Sequence, residues 1–208
     1  MSLRPSCVPG IRLYARSRGL PLMLALLAGT CALAVWAAHR TDHAYLDPGR
    51  ATPVVTLAPL LAAALIGGSL YAPSEELDRT AVRPWWPRRL AHLLTLTALA
   101  GALLPLTLPG DGLALAPAAV LRNLLGCVGV TATAAVLVGS RLSWLPASCY
   151  VGVVYLTSSG VRGQAVTVWA WPVQPGRETG AWLAAGAAFA LGTALYAVRG
   201  ARPGDTRG

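Results

Sequence analysis

The sequence predicts an all-α, polytopic membrane protein with six transmembrane helices and both termini in the cytoplasm. Three observations lead to that reading. Hydrophobic residues make up 55% of the 208-residue chain and charged residues only 12%, with a mean hydropathy of +0.55, outside the range of an ordinary soluble domain. The apolar residues collect in six charge-poor stretches that read as spans. The arginines gather at the ends of those stretches, and mostly on one side. No boundary between domains is visible, so residues 1–208 read as one transmembrane domain.

The first span covers about 19–38, twenty residues without a charge, enough for ~30 Å of hydrocarbon at helical rise. The second, about 52–72, carries Pro59 in its middle and Gly67-Gly68 near its end, which predicts a kink and a place for close helix packing. The third and fourth, about 90–108 and 118–138, flank Pro109-Gly-Asp-Gly112, whose turn chemistry marks a short hairpin loop. The fifth is placed at about 144–160, where Thr157-Ser-Ser-Gly-Val-Arg-Gly-Gln164 interrupts the apolar run. A re-entrant or short-helix region, 161–179, precedes the sixth span at about 180–198.

The net charge is +9, and all seventeen basic residues are arginine. They do not form a patch with interleaved aromatics, so they read as topology signals and no nucleic-acid partner is expected. A cytoplasmic N-terminus puts twelve arginines inside and leaves Arg40, Arg50 and Arg177 in outside loops. Arg122 and Arg162 fall near the outer ends of the fourth and fifth spans, where Arg122 reads first as an interfacial anchor. Trp169 and Trp171 read as part of an outer aromatic belt. The absence of lysine, with abundant Ala, Leu, Gly and Arg, is the compositional mark of a GC-rich bacterial genome, hence a bacterial cell membrane.

Chemistry within the chain is restricted. Without lysine there is no P-loop and no Schiff base. All eight acidic residues lie outside the spans, which argues against ion coupling and proton relays, processes that place ionisable groups at membrane depth. No catalytic residue, cofactor or metal site is expected. His39 and His43 are four residues apart, a spacing that could face a metal, but they sit in a solvated loop beside Arg40. His92 reads as an amphipathic residue at the interface.

The main island of mixed charge, 73–89, contains Ser74 as an N-cap candidate and Glu75, Glu76 and Asp78 in the turn that follows. A short amphipathic helix over about 75–82 is predicted, with Glu75 and Arg79 as an i,i+4 pair. It is too short to hold alone and needs a surface. Pro84 ends it, Trp85 and Trp86 suit the headgroup region, and Arg88 with Arg89 anchors the third span.

Six spans with both ends inside, the segment Glu75-Glu-Leu-Asp-Arg-Thr-Ala-Val-Arg83 followed by Pro-Trp-Trp-Pro-Arg-Arg, and an interrupted region before the last span resemble the permease subunits of type-2 ATP-binding-cassette (ABC) exporters. The island is similar to the corresponding loop in small actinobacterial proteins of that kind. The resemblance implies that Glu75, Glu76, Asp78, Arg79 and Arg83 dock a separate ABC ATPase subunit, on which ATP is held. It implies that Val161–Pro172 matches short outer helices, and that the working unit is a homodimer or a heterodimer with a related permease. Substrate would then meet the polar residues of the inner spans, Arg122, Asn123, Tyr150, Tyr155, Thr157 and Ser158. A second class fits the same features: a non-transport accessory or immunity-type membrane protein whose island binds another cytoplasmic protein.

Overall fold

The computed structural model describes residues 20–40, 48–71, 86–107, 116–157 and 168–202. Among them six α-helices follow one another: α1 (Leu20–Arg40), α2 (Pro48–Ser69), α3 (Trp86–Leu103), α4 (Ala116–Leu137), α5 (Trp144–Thr157) and α6 (Thr179–Arg199). Single 3-10 turns occupy Pro105–Thr107, Ser140–Leu142 and Trp171–Val173. No strand occurs among the described residues. Three stretches are long and apolar enough to cross a membrane: Trp86–Thr107, Pro117–Leu137 and Thr179–Arg199, of 22, 21 and 21 residues. At 1.5 Å per residue each reaches ~30 Å.

Two helices begin well ahead of the apolar runs that announced them, though they also end before those runs do. α2 begins at Pro48 and α3 at Trp86, four residues ahead of the predicted spans in each case. Hydropathy marks what hydrocarbon tolerates, whereas a helix continues wherever the backbone can bond. Pro48 and Pro87 stand in first turns, where the missing N–H costs nothing. α5 differs in the opposite sense: it has 14 residues, ~21 Å, which is short of the ~20 residues a crossing needs.

α4 is the centre of the bundle. Its apolar window is 72% buried, against 33% for those of α3 and α6. It packs against α2, α3, α5 and α6, while α1 lies against α2 and the 105–107 turn. Close approaches fix the directions. Asn123 reaches Val55 at one end of the α2–α4 pair, and a Cβ on Gly67 would meet Thr131 and Ser143 further along. Gly129 of α4 lies against Gly192 of α6, and Tyr196 of α6 reaches Leu70. α2, α4 and α6 therefore run in the same direction, with α3 and α5 opposed. The bundle has a loop end, carrying Leu70, Trp86, Ser140 and Arg199, and a Trp171 end.

Small residues let these helices meet. The α4–α6 contact is backbone on backbone, and Ala132 and Ala185 are fully buried in the surrounding core. Gly67 and Gly68 divide: Gly67 is enclosed by Thr131 and Ser143, whereas a Cβ on Gly68 would meet nothing within 4 Å. Several of the span hydroxyls bond backward to their own helix, as in Thr97 to Leu93, Thr133 to Gly129 and Thr157 to Val153, which removes a polar group from the apolar surroundings without a partner helix.

Candidate functional site

Two residues predicted for a substrate path, Arg122 and Asn123, meet at the Trp171 end of α4 and form a polar clamp. Arg122 is 0% exposed. Its Nη1 donates to the carbonyl of Pro175 at 2.7 Å, and Nη2 donates to that of Gln174 at 2.7 Å. Nε and Nη2 also donate to Oδ1 of Asn123, at 3.3 and 3.1 Å. That orients the amide, whose Nδ2 donates to Pro172 O at 2.8 Å and to Val55 O at 3.1 Å. The interfacial-anchor reading of Arg122 is thereby corrected. Its head turns inward because the 172–175 segment presents carbonyls that no helix satisfies, and a guanidinium supplies several donors in a fixed fork.

The bond from Asn123 to Val55 has a cause four residues further on. In a continuous helix the carbonyl of residue 55 would accept from the N–H of residue 59, which is proline and has none. α2 runs unbroken through Pro59, and Asn123 provides the missing donor from the neighbouring helix, the usual remedy for a proline at membrane depth. One amide thus ties α2, α4 and the segment leading into α6. Trp171 closes the same junction. It is 4% exposed and lies on Gly126, where any Cβ would strike its ring. The expected outer belt is therefore split, since Trp169 is exposed and Trp171 is core.

The other path candidates do not join this clamp as a polar channel. The Tyr150 hydroxyl donates to Trp169 O, and its ring lies 5.9 Å from that of Trp171 at 30°. Thr157 is exposed and bonded to its own helix. Ser158 and Arg162 lie outside the described residues, as does His43, and the side chain of His39 is likewise not described. Tyr155 stands apart. With Thr56, Leu57, Val151, Gly152 and Leu156 it lines a largely apolar groove of about 380 Å³ between α2 and α5. No group of three or more metal-ligating side chains occurs among the described residues.

The island residues Glu75, Glu76, Asp78, Arg79 and Arg83, and the helix predicted over 75–82, lie outside the described residues. The two roots of that segment are described, and both lie against the end of α6. Tyr196, 0% exposed, donates its hydroxyl to Leu70 O at 2.9 Å. Gly200, at φ +73, lies so close to Arg89 that a Cβ there would fall 2.7 Å from the guanidinium carbon. The roots are also linked to each other. The Ser69 hydroxyl donates to Ile66 O at 2.7 Å, which leaves its oxygen to accept from Nε2 of His92 at 3.3 Å. His92 is buried, a correction to its reading as an interfacial residue.

Sequence reasoning missed Tyr196 and the role of His92. A tyrosine near the last arginine of a span looks like any interfacial anchor, and only the fold reveals that it caps the end of α2. The Pro59–Val55 vacancy was readable from spacing, although its donor was not.

No family model matches the chain, and neither a curated protein nor a solved structure matches it. The class defined by fold and site is a helical membrane protein with a buried arginine–asparagine clamp at one end and a firmly rooted loop at the other.

Proposed function

We propose that the chain is the membrane-spanning permease subunit of a type-2 ABC exporter, crossing a bacterial cell membrane six times with both termini in the cytoplasm. It forms the translocation pathway and receives its energy from a separate ATPase subunit that docks on the 73–89 loop. The observation that carries this reading is the rooting of that loop. One end is hydrogen-bonded to α6 through Tyr196, the other packs against Gly200 at the end of α6, and the two are linked by Ser69 and His92, so a force applied at the loop would reach α2, α3 and α6 together. A loop serving topology alone needs no such attachment. Two copies, or one copy and a relative, would move between two packings of the same helices as ATP closes the partner subunits.

The decisive test is co-purification with an ABC ATPase encoded beside this chain. Reversing Glu75, Glu76 and Asp78 to Arg is expected to abolish complex formation and vesicle ATPase activity while membrane insertion stays normal. If complex and activity both survive the reversal, the docking role is lost and the accessory-protein reading takes its place.

Tyr196→Phe removes a single hydroxyl from the root. It is expected to lower stability by about 1 kcal/mol, the worth of one hydrogen bond, or a fall in Tm of roughly 3 °C. Thermal unfolding in detergent measures this, and an unchanged Tm would show that the Leu70 carbonyl does not depend on Tyr196. The complex with the ATPase should persist, with reduced stimulation of ATP hydrolysis.

A further inference from the structure

We propose that the arginines at the loop end form one binding surface for the headgroups of anionic phospholipids. The placement follows from contacts and is independent of the transport reading. Arg88 and Arg89 open α3, Arg199 is the last residue of α6, and Arg141 lies in the 3-10 turn just beyond α4. Gly200, in the left-handed region at φ +73, carries the chain past the guanidinium of Arg89. Two residues later the backbone N–H of Arg202 donates to Ala135 O at 3.0 Å, and its Nη1 donates to Leu137 O at 3.2 Å. These links bring the start of α3, the end of α4 and the end of α6 into one cationic face.

Three properties of that face fit a lipid headgroup. It lies at the ends of the three helices that are long and apolar enough to cross a membrane, which is headgroup depth. Trp86 and Trp144, 53% and 44% exposed, belong to the same end, where amphipathic rings suit the boundary between acyl chains and phosphate. Its charge is one-sided: Glu178, the single acidic residue among those described, stands just before α6 at the Trp171 end. The loop between the roots brings three acidic and two basic residues, so the end stays cationic. The bland alternative is that these arginines only offset the negative ends of the α4 and α6 dipoles. Arg202 does serve that purpose through Leu137, but Arg141 and Arg199 are exposed.

The test uses the purified full chain in a neutral detergent, titrated with phosphatidylglycerol or with phosphatidylcholine while thermal unfolding is followed. Phosphatidylglycerol is expected to raise Tm by roughly 5 °C and phosphatidylcholine to leave it nearly unchanged. Arg141→Gln and Arg199→Gln should each weaken the phosphatidylglycerol response about fivefold in apparent affinity. Arg177→Gln, at the opposite end, should leave it unaltered and serves as the control. Equal shifts with the two lipids, or a double variant that responds like the parent chain, would overturn the proposal. An equal shift with inorganic phosphate would do so as well, since it would mean a free-anion site in place of a lipid surface.

Discussion

Gly192→Ala should be among the most damaging single-atom changes this chain can receive. A Cβ at residue 192 would run into the main-chain carbonyl of Gly129, with the Cα of Gly129 only 2.9 Å away. From the other side, a Cβ at Gly129 would strike the main chain of Ala188 and Phe189. Both obstacles are backbone, so no rotamer change relieves them, and α4 and α6 must separate. Separation opens gaps beside Ala132 and Ala185, which have no side-chain length with which to fill them. Overpacking of this kind costs about 3 kcal/mol, a fall in Tm of roughly 10 °C for a chain of this size. Gly192→Leu should prevent recovery of folded protein. The matched controls are Gly68→Ala and Gly186→Ala, whose new methyl groups would meet nothing within 4 Å. They should be neutral or slightly stabilising, because alanine is the better helix former. Thermal unfolding of the three alanine variants in one detergent separates the cases, and the yield of folded protein reports on Gly192→Leu. A Gly192→Ala protein melting within a degree or two of the parent chain would show that the two backbones do not meet there.

The same glycines show how far the sequence could be read. Gly67-Gly68 and Gly126-Cys-Val-Gly129 are recognisable as places where helices could approach closely, and the bundle uses three of those four positions. Successive residues point ~100° apart around a helix, so which of Gly67 and Gly68 faces a neighbour is decided by packing. Helix ends behaved similarly. α1 and α6 end within two residues of the predicted spans, because Arg40 and Arg199-Gly200 are chemical stops, whereas α2 and α3 start early because Pro48 and Pro87 are permitted in a first turn. At the site, Arg122 and Asn123 stood out as the strongly polar residues of an apolar run. Their task was hidden, since it is set by carbonyls some fifty residues away and by a proline on another helix. Charge, spacing and turn chemistry are local and therefore legible. Partner choice across the bundle is not.

Substituting Arg122 is expected to loosen the whole Trp171 end. The side chain donates to the carbonyls of Gln174 and Pro175 and holds Oδ1 of Asn123; Pro175 O keeps the N–H of Glu178, so Arg122→Met strips Gln174 O and Asn123 Oδ1 of the donor shown. At about 1 kcal/mol for each of these two abandoned acceptors, the loss approaches 2 kcal/mol. Arg122→Lys should recover only part of it, because an ammonium cannot fork to two carbonyls and an amide oxygen at once. The mechanism makes a sharper claim about Asn123. Asn123→Ala strips the donor from Val55 O, and Pro59→Ala gives back the backbone N–H that the carbonyl lacks. In the Asn123→Ala background, Pro59→Ala should therefore raise stability by about 1 kcal/mol more than it does in the parent chain. Four proteins, the parent, two single variants and the double variant, complete this cycle by thermal unfolding. Additive effects, within about 0.3 kcal/mol, would mean that Asn123 does not stand in for the missing hydrogen of Pro59.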